Sequence, residues 1–385
     1  MKFTVLYIGA IVLSISQMKI SPTAIREAFI STLGLTPLEV SIYVSVFAFA
    51  PVFLALPGGS LVKRFGAKKV SILVMIALFI GNLLGYYSHS FPLMLIARII
   101  EGVSFSFIMV SSMMLLTHWF KEKGHGLAVG IFVTFSALGY AIVIYVLPVL
   151  YERYGLSNIY LYLAIVSAVI AVFYALLFDD ASESETITAS QPSLLATLKN
   201  GTVLKLALAM AILSFILFTF LDSYPTLFKE VNKLSLEESS LNAILFGLAG
   251  IPAGIFIGFL IEKTKRPILI GVYSFLFMAL ACFMADRLLG LAVVIQVVLL
   301  TTCISFASTC IVSAVPKVIK EQNQLEDSFA VIYLFYYIGA LIGIPIVSSI
   351  VSFGSWGVAL LFLTALALVA ALLLTPFTKI EKQDI

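Results

Sequence analysis

Residues 35–64 read LTPLEVSIYVSVFAFAPVFLALPGGSLVKR, and residues 234–263 read LSLEESSLNAILFGLAGIPAGIFIGFLIEK. The two stretches align at an offset of 199 positions. The residues that then match are Thr36 with Ser235, Glu39 with Glu238, Ser41 with Ser240, Phe47 with Phe246, Gly59 with Gly258 and Leu61 with Leu260. Each stretch begins with a hydroxyl residue and a glutamate in the spacing of a helix capping box. The chain therefore contains two related halves, each with an apolar helix that starts at this box.

The composition is that of a membrane protein. Of the 385 residues, 61% are hydrophobic and 11% are charged, whereas a soluble domain carries about 25% charged residues. The formal net charge of +3 gives no indication of a nucleic-acid partner or of an acidic surface that holds metal ions. Cys282, Cys303 and Cys310 lie in apolar stretches without the spacing of a zinc site, so we expect them to be small buried residues.

Sequence patterns typical of enzymes are missing from the chain. It contains no nucleotide-binding loop, no catalytic triad and no metal-ligand spacing. The protein is therefore predicted not to be an enzyme and to use no cofactor or metal.

Twelve apolar runs are long enough to cross a bilayer, which takes about 20 residues per helix. Their approximate bounds are 4–29, 37–61, 70–88, 92–118, 125–150, 157–178, 203–228, 236–261, 267–286, 288–314, 327–351 and 356–376. The first run has a basic start but no small-residue cleavage site, so we interpret it as a span and not as a signal peptide. The sequence predicts an all-α polytopic membrane protein with twelve transmembrane helices in two pseudo-symmetric six-helix halves.

One long polar connection separates the halves. Residues 179–202 are rich in serine and threonine and acidic at their start, a composition typical of a linker. We therefore expect an N-terminal six-helix half at 1–178, a cytoplasmic linker at 179–202 with a short surface helix at 193–199, and a C-terminal six-helix half at 203–385.

The distribution of basic residues predicts the orientation, because cytoplasmic loops carry an excess of Lys and Arg. With the N-terminus inside, the inner segments hold 16 of the 23 Lys and Arg residues, and the outer loops and helix ends hold 5. Both termini are therefore predicted to be cytoplasmic. The expected location is the plasma membrane of a prokaryote (an inner membrane or cell membrane).

A glycine-hinged basic stretch follows the second span. Residues 59–69, GSLVKRFGAKK, resemble the loop 2–3 signature of the major facilitator superfamily: Gly, three residues, Asp-Arg, one residue, Gly, then basic residues. The matching residues are Gly59, Arg64, Gly66, Lys68 and Lys69. Lys63 stands where the family usually has Asp.

Two further stretches support the resemblance. GFLIEKTKR at 258–266 looks like a degenerate copy of the loop, with Glu262 but no second glycine. RIIEG at 98–102 resembles a span-four motif in which Arg is followed three residues later by Gln or Glu and then Gly. The Gly-Pro pair common in the fifth span of drug–proton antiporters is missing. The resemblance implies a twelve-helix alternating-access transporter with a cavity between its halves, but analogy of fold does not identify the substrate.

Four ionisable residues lie deep in the predicted spans, between the middle and the outer third of each: Lys19, Arg98, Glu101 and Asp222. An ionisable group at bilayer depth costs roughly 2.5–3.5 kcal/mol, so each is a candidate for binding substrate or protons. The resemblance implies that their spans line the central cavity. Two cations and two carboxylates there favour a small anionic or zwitterionic substrate, with one carboxylate carrying a proton.

Each of these residues also allows a structural interpretation. Arg98 and Glu101 share one helix face, so they either form a closed ion pair or let Arg98 hold an anion and control a proton on Glu101. Lys19 can extend to the outer interface. Asp222 can lie in water at the outer end of its span, or Pro225 can break that span and free carbonyl groups beside it.

Other side chains in the spans can complete such a site. The polar ones are Gln17, Tyr43, Thr134, Gln296, Thr302, Ser305, Tyr333 and Tyr336. Each of them, taken singly, is more often an interhelical hydrogen bond. Met109, Met113 and Met114 can line an adaptable apolar pocket, or pack against helices and lipid.

These observations favour a secondary active transporter that moves a small organic anion or zwitterion with protons and acts as a monomer. The alternative is an exporter of hydrophobic or cationic compounds, which the Met- and Phe-rich spans favour and the missing Gly-Pro pair disfavours. A non-transporting membrane sensor is a third hypothesis. It needs a sizeable soluble module, and the longest polar segment is the 24-residue linker at 179–202.

The resemblance also predicts an inner gate, where the loop Asp of the family meets the start of span eleven. Lys63 replaces that Asp and Glu326 and Asp327 begin span eleven, so we hypothesise a charge-swapped pair. In the second half, Glu262 would pair with Lys121 or Lys123. Such exposed pairs contribute about 0.2–1 kcal/mol each. The predicted gate residues are Gly59, Lys63, Arg64, Gly66, Glu262, Glu326 and Asp327.

Overall fold

The computed structural model describes residues 1–88, 90–120, 125–179, 194–319 and 322–381. Every regular element within these ranges is a helix. The chain divides into two compact units, Met1–Ser190 and Gln191–Ile385. The division falls inside the predicted linker at 179–202.

The first unit is built from ten α-helices. They are α1 Lys2–Met18, α2 Thr23–Leu33, α3 Pro37–Ser45, α4 Phe49–Phe65, α5 Ala67–Tyr87, α6 Phe91–Trp119, α7 His125–Phe132, α8 Phe135–Tyr145, α9 Leu147–Tyr154 and α10 Leu156–Leu177, as far as the described residues show. Helix α5 packs along α6 and α10, α4 packs on α6, and α1 packs on α8 and α10. Helices α1, α5, α6 and α10 therefore form the core of this unit.

The second unit contains nine α-helices within its described part. They are α11 Leu194–Lys199, α12 Gly201–Glu230, α13 Leu236–Leu248, α14 Gly250–Thr264, α15 Pro267–Met284, α16 Leu291–Val318, α17 Gln322–Phe353, α18 Trp356–Leu374 and α19 Thr378–Glu381. Helix α12 packs along α17 and α18, and α15 packs on α16 and α18. The short helix α11 lies where the sequence predicts one.

The predicted polytopic architecture is confirmed. Within the described ranges, eleven helical segments are long and apolar enough to cross a membrane, and Lys2–Met18 is a shorter apolar helix. Together they account for the twelve predicted spans.

The two predicted capping boxes are both present. The Thr36 hydroxyl accepts from the Glu39 backbone N–H at 3.2 Å, and the Glu39 carboxylate accepts from the Thr36 backbone N–H at 2.7 Å. In the second unit the Ser235 hydroxyl accepts from Glu238 at 3.2 Å, and the Glu238 carboxylate accepts from Ser235 at 2.9 Å. Helices α3 and α13 thus start with the same hydrogen bonds, as expected of related halves.

The offset of 199 positions also relates contacts deeper in the two units. In the first unit α6 approaches the 3₁₀ turn Val46–Ala48, between α3 and α4, so closely that a Cβ on Gly102 would lie 2.2 Å from the Phe47 carbonyl oxygen. In the second unit Thr301 takes the place of that glycine, and its hydroxyl donates to the Phe246 carbonyl at 2.5 Å. One half uses a close backbone approach and the other a hydrogen bond at the same position of the repeat.

Gly102→Ala is expected to destabilise the protein, because the added methyl group overlaps a backbone carbonyl that has little freedom to move. Overpacking of this kind costs about 1–3 kcal/mol, which lowers the temperature of thermal unfolding measured in detergent. Gly130→Ala is the matched control, since a Cβ there meets nothing within 4 Å. Equal unfolding temperatures for the two variants would contradict the close contact.

The basic stretch after the second span forms a very tight connection. Helix α4 ends at Phe65, α5 begins at Ala67, and Gly66 between them has a φ of 87° that favours glycine. Lys265 occupies the same position of the repeat in the second unit and also has a positive φ, 56°. The missing second glycine of the degenerate copy therefore does not remove the left-handed turn.

Two of the predicted spans contain a proline that could interrupt the helix, and only one of them is interrupted. The first, 4–29, is interrupted between Met18 and Thr23, because Pro22 has an extended backbone (φ −62°, ψ 133°) and disfavours helix in the residue before it. The alternative in which Pro225 breaks span seven is wrong, since α12 runs without interruption from Gly201 to Glu230. That proline is accommodated inside a continuous helix.

Candidate functional site

The end of α1 leaves backbone carbonyl groups without helical partners, and Arg98 donates hydrogen bonds to them. The last carbonyl groups of a helix have no helical partner and carry partial negative charge. Arg98 lies on α6 and is completely buried. Its Nη1 donates to the Ser16 carbonyl at 2.6 Å, and its Nη2 donates to the carbonyls of Gln17 and, at 3.4 Å, Val44. A buried guanidinium thus caps the carboxyl end of α1.

Glu101 joins this arginine to a second cation. Its Oε2 accepts from Arg98 Nη1 at 2.7 Å and from the Ser16 hydroxyl at 3.2 Å. Its Oε1 accepts from Lys19 Nζ at 2.6 Å. Lys19 is also completely buried, and Glu101 is 4% exposed. We refer to these three charged residues as the Lys19–Arg98–Glu101 cluster.

Neutral polar groups hold the cluster in place. Lys19 Nζ donates to Asn82 Oδ1 on α5 at 2.9 Å. The Asn82 amide donates in turn to the Ser16 hydroxyl at 3.0 Å and to the Leu78 carbonyl at 2.9 Å. Because Ser16 also donates to Glu101, the network closes on itself and links α1, α5 and α6.

Aromatic rings cover both cations. Lys19 Nζ lies 4.3 Å from the centre of the Tyr160 ring, and Arg98 Cζ lies 5.2 Å and 5.3 Å from the centres of the Tyr43 and Phe47 rings. The hydroxyl groups of Tyr43 and Tyr160 share a hydrogen bond of 2.8 Å. Cations held over aromatic faces keep part of their stabilisation when water is excluded.

Small residues on α5 allow these side chains to approach. A Cβ on Gly81 would lie 2.5 Å from Glu101 Cγ, and a Cβ on Gly85 would lie 2.5 Å from Tyr160 Cδ1. The glycines one helical turn apart therefore leave room for the carboxylate and for the tyrosine ring.

The cluster carries more positive than negative charge. Two cations and one carboxylate give a formal charge of +1, and the carbonyl groups at the end of α1 offset part of it. Buried charges are costly unless they are paired and hydrogen-bonded. A small anion would reduce this excess, whereas a cationic ligand would increase it.

The four ionisable residues predicted from the sequence are all buried. Lys19, Arg98 and Glu101 come together in the first unit. Asp222 lies on α12 in the second unit and is 2% exposed. The burial of Lys19 and Asp222 contradicts the interpretations that place them in water or at the outer interface. The Arg98–Glu101 ion pair forms, but it is not closed, because Lys19 shares the carboxylate.

The eight further polar residues predicted from the sequence all lie within the described ranges, and two of them contact Arg98. The ring of Tyr43 packs on Arg98, and the backbone carbonyl of Gln17 accepts a hydrogen bond from it. Three others form interhelical hydrogen bonds, as the more conservative interpretation expects. Thr134 shares one with Tyr7 at 2.5 Å, Gln296 donates to Ala281 at 2.9 Å, and Ser305 donates to Gly250 at 3.3 Å.

The predicted gate residues are placed only in part. Arg64 and Glu262 are exposed, and Asp327 is half-buried. The structure does not describe the side chains of Lys63 and Glu326 or the surroundings of Gly59. It also does not describe Lys121 and Lys123. The pairs of Lys63 with Glu326 or Asp327, and of Glu262 with Lys121 or Lys123, therefore stay predictions.

Three hydrogen-bonding side chains of the site were not identified from the sequence: Ser16, Asn82 and Tyr160. Asn82 had a usable signal, because an amide in the middle of the apolar run FIGNLLG must find a partner within the bilayer. Ser16 and Tyr160 resemble the many other hydroxyl residues of the spans. Only the packing of α1 and α10 against α5 and α6 brings them to the charges.

Comparison with known proteins gives a family and several relatives. The model of the Major Facilitator Superfamily matches residues 6–325. A probable sulfoacetate transporter of Cupriavidus necator is 24% identical over 251 residues, which cover 61% of this chain and 58% of the relative. The hexuronate transporter of Bacillus subtilis is 24% identical over 263 residues, covering 64% of this chain and 62% of the relative.

A third relative is matched over a longer stretch. A probable L-galactonate transporter of Escherichia coli is 21% identical over 320 residues, which cover 76% of this chain and 70% of the relative. The chain covers less than two thirds of the length of the first two relatives.

Proposed function

We propose, since this chain belongs to the major facilitator superfamily, that it is a secondary active transporter that moves a small organic anion with protons by alternating access. The observation that carries the proposal is the buried Lys19–Arg98–Glu101 cluster and its formal excess of one positive charge. An intramembrane charge is expensive and is retained where it binds a substrate or an ion.

The geometry supports a specific way of coupling. Lys19 and Arg98 both donate to Glu101, so an incoming anion competes with this carboxylate for the same donors. A proton on Glu101 removes the competing charge and frees the two cations for the substrate. Proton and anion then favour each other's binding, and by linkage the effect is reciprocal.

The names of the relatives support the substrate class. Sulfoacetate, a hexuronate and L-galactonate are all small organic acids that are anionic at neutral pH. These names belong to the relatives, and for this chain they define the compounds to test first.

The rival proposal, export of hydrophobic or cationic compounds, is less compatible with this site. A cationic ligand placed at the cluster would meet Lys19 and Arg98 at short range without water to screen the repulsion.

Transport by the purified protein in liposomes tests the proposal. We expect labelled sulfoacetate, D-glucuronate or L-galactonate to enter faster than into protein-free liposomes, and an acidic exterior to accelerate entry further. Tetraphenylphosphonium and a hydrophobic dye serve as the cationic and neutral comparison compounds. Transport of these two without any of the anions would overturn the substrate class, and anion uptake that ignores the pH gradient would overturn the coupling.

A further inference from the structure

Tyr43 and Tyr160, beside the cluster, have two O–H donors between them, and their shared hydrogen bond involves only one of these. Each phenol group has a single O–H to donate. Tyr43 and Tyr160 share one hydrogen bond of 2.8 Å, in which either oxygen can be the donor. One O–H of the pair therefore remains, and the described residues supply no acceptor for it. Both side chains are 1% exposed, so water does not reach it freely.

Two other donors of the same site are also unused. Arg98 Nε and Gln17 Nε2 are buried and lack a hydrogen-bond partner among the described residues. Arg98 links them to the tyrosines, because it donates to the Gln17 carbonyl and its Cζ lies 5.2 Å from the Tyr43 ring. A buried donor without an acceptor is unfavourable, so three of them in one place need an explanation.

The acceptors that face the two cations, in contrast, are occupied. Both oxygens of Glu101 accept hydrogen bonds from cations, and Asn82 Oδ1 accepts from Lys19. The Ser16 hydroxyl accepts from Asn82. What the unused donors lack is thus an acceptor, and the formal excess of one positive charge in the cluster favours a negatively charged one.

We propose that the spare O–H of the Tyr43–Tyr160 pair donates directly to an anionic oxygen of the transported substrate, a carboxylate or sulfonate. This inference rests on the proposed function, and it adds a neutral donor to the charged residues already described. Each ring of the pair has one cation over it: Lys19 Nζ lies 4.3 Å from the centre of the Tyr160 ring, and Arg98 Cζ lies 5.2 Å from the centre of the Tyr43 ring. We expect an oxyanion that accepts the phenol proton to be attracted by both charges.

The count of protons gives the proposal a specific signature. If Phe replaces either tyrosine, the remaining phenol loses its hydrogen-bond partner but keeps one O–H for the substrate. If Phe replaces both, no phenol donor is left. The two substitutions are therefore expected to be strongly non-additive in substrate affinity, which a loss of packing alone does not produce.

The test measures the affinity of purified protein for sulfoacetate, D-glucuronate and L-galactonate by titration calorimetry. Tyr43→Phe and Tyr160→Phe are each expected to weaken binding less than about 10-fold. The double variant is expected to weaken it about 100-fold, the size expected for a lost hydrogen bond to a charged group. Tyr174→Phe is the control, because this buried hydroxyl donates to the Leu6 carbonyl instead.

The outcomes separate the two proposals. Wild-type protein that binds none of the three anions contradicts the proposed function itself. Wild-type binding that the double variant retains within a few-fold overturns the role of the tyrosines alone. Thermal unfolding without ligand shows whether each variant is folded. If the double variant does not fold, the single variants still test the proposal. A 100-fold loss of substrate affinity in either single variant contradicts it, because the remaining phenol should still donate its O–H to the substrate.

Discussion

Arg98→Ala is expected to reduce the initial rate of anion uptake by about 100-fold or more. The substitution leaves the carbonyls of Ser16 and Gln17 without their donor and leaves Glu101 with Lys19 alone. Breaking a buried ion pair by removing one partner costs about 3–5 kcal/mol, and the substrate loses one of its two cations. Uptake is measured in liposomes and normalised to the amount of folded protein.

Two further variants make this result interpretable. Arg98→Lys keeps the charge, but one ammonium group cannot match the planar fork that reaches carbonyls and carboxylate together, so we expect it to transport poorly as well. Arg153→Ala removes an exposed arginine of the same unit and should transport normally. An Arg98→Ala variant that folds and transports at the wild-type rate would show that the cluster is purely structural.

Glu101→Gln is expected to separate anion exchange from proton-driven accumulation. Glutamine keeps the size and one acceptor oxygen, but it has neither the negative charge nor a site for the proton. The anion no longer competes with a carboxylate for Lys19 and Arg98, so binding should lose its dependence on pH. Exchange of labelled for unlabelled anion across the membrane should therefore continue.

Accumulation should be lost in the same variant. With an acidic exterior, wild-type protein is expected to concentrate the anion inside liposomes several-fold, whereas Glu101→Gln should only equalise the two sides. Glu152→Gln, at an exposed position, is the matched control and should accumulate the anion normally. A Glu101→Gln variant that still concentrates the anion would place the proton on another residue.

The large features of this fold follow from local patterns of sequence. Apolar length predicts the spans, and the capping boxes at Thr36 and Ser235 fix where two related helices begin. The two hydrogen bonds of a capping box join residues only three positions apart, so they form without contacts from elsewhere in the chain. The same offset also relates Gly102 to Thr301, each of which contacts the carbonyl group of a matching phenylalanine.

The site could be predicted in part, because charge in a membrane is itself a signal. Lys19, Arg98 and Glu101 were identified by the cost of burying them. Their arrangement was not, since it depends on the break after Met18 that exposes carbonyl groups to Arg98. A proline can break a span, as Pro22 does, or be accommodated in one, as Pro225 is, and tertiary packing decides between the two.

The neutral members of the site carry less information in sequence. A serine or tyrosine in a span costs little, so Ser16 and Tyr160 do not differ from residues that simply pack or form an interhelical bond. Their roles come from contacts between distant parts of the chain, such as the hydrogen bond that joins Tyr43 to Tyr160. Such pairs become visible only in three dimensions.

The most direct measurement of proton coupling through Glu101 is the internal pH of liposomes that contain the purified protein and a trapped pH-sensitive dye. The transported anion is added outside while the pH is equal on both sides. Coupling predicts that wild-type protein acidifies the interior as the anion enters, and that Glu101→Gln does not acidify it. If the anion enters through wild-type protein and the internal pH changes no more than in protein-free liposomes, proton coupling is contradicted.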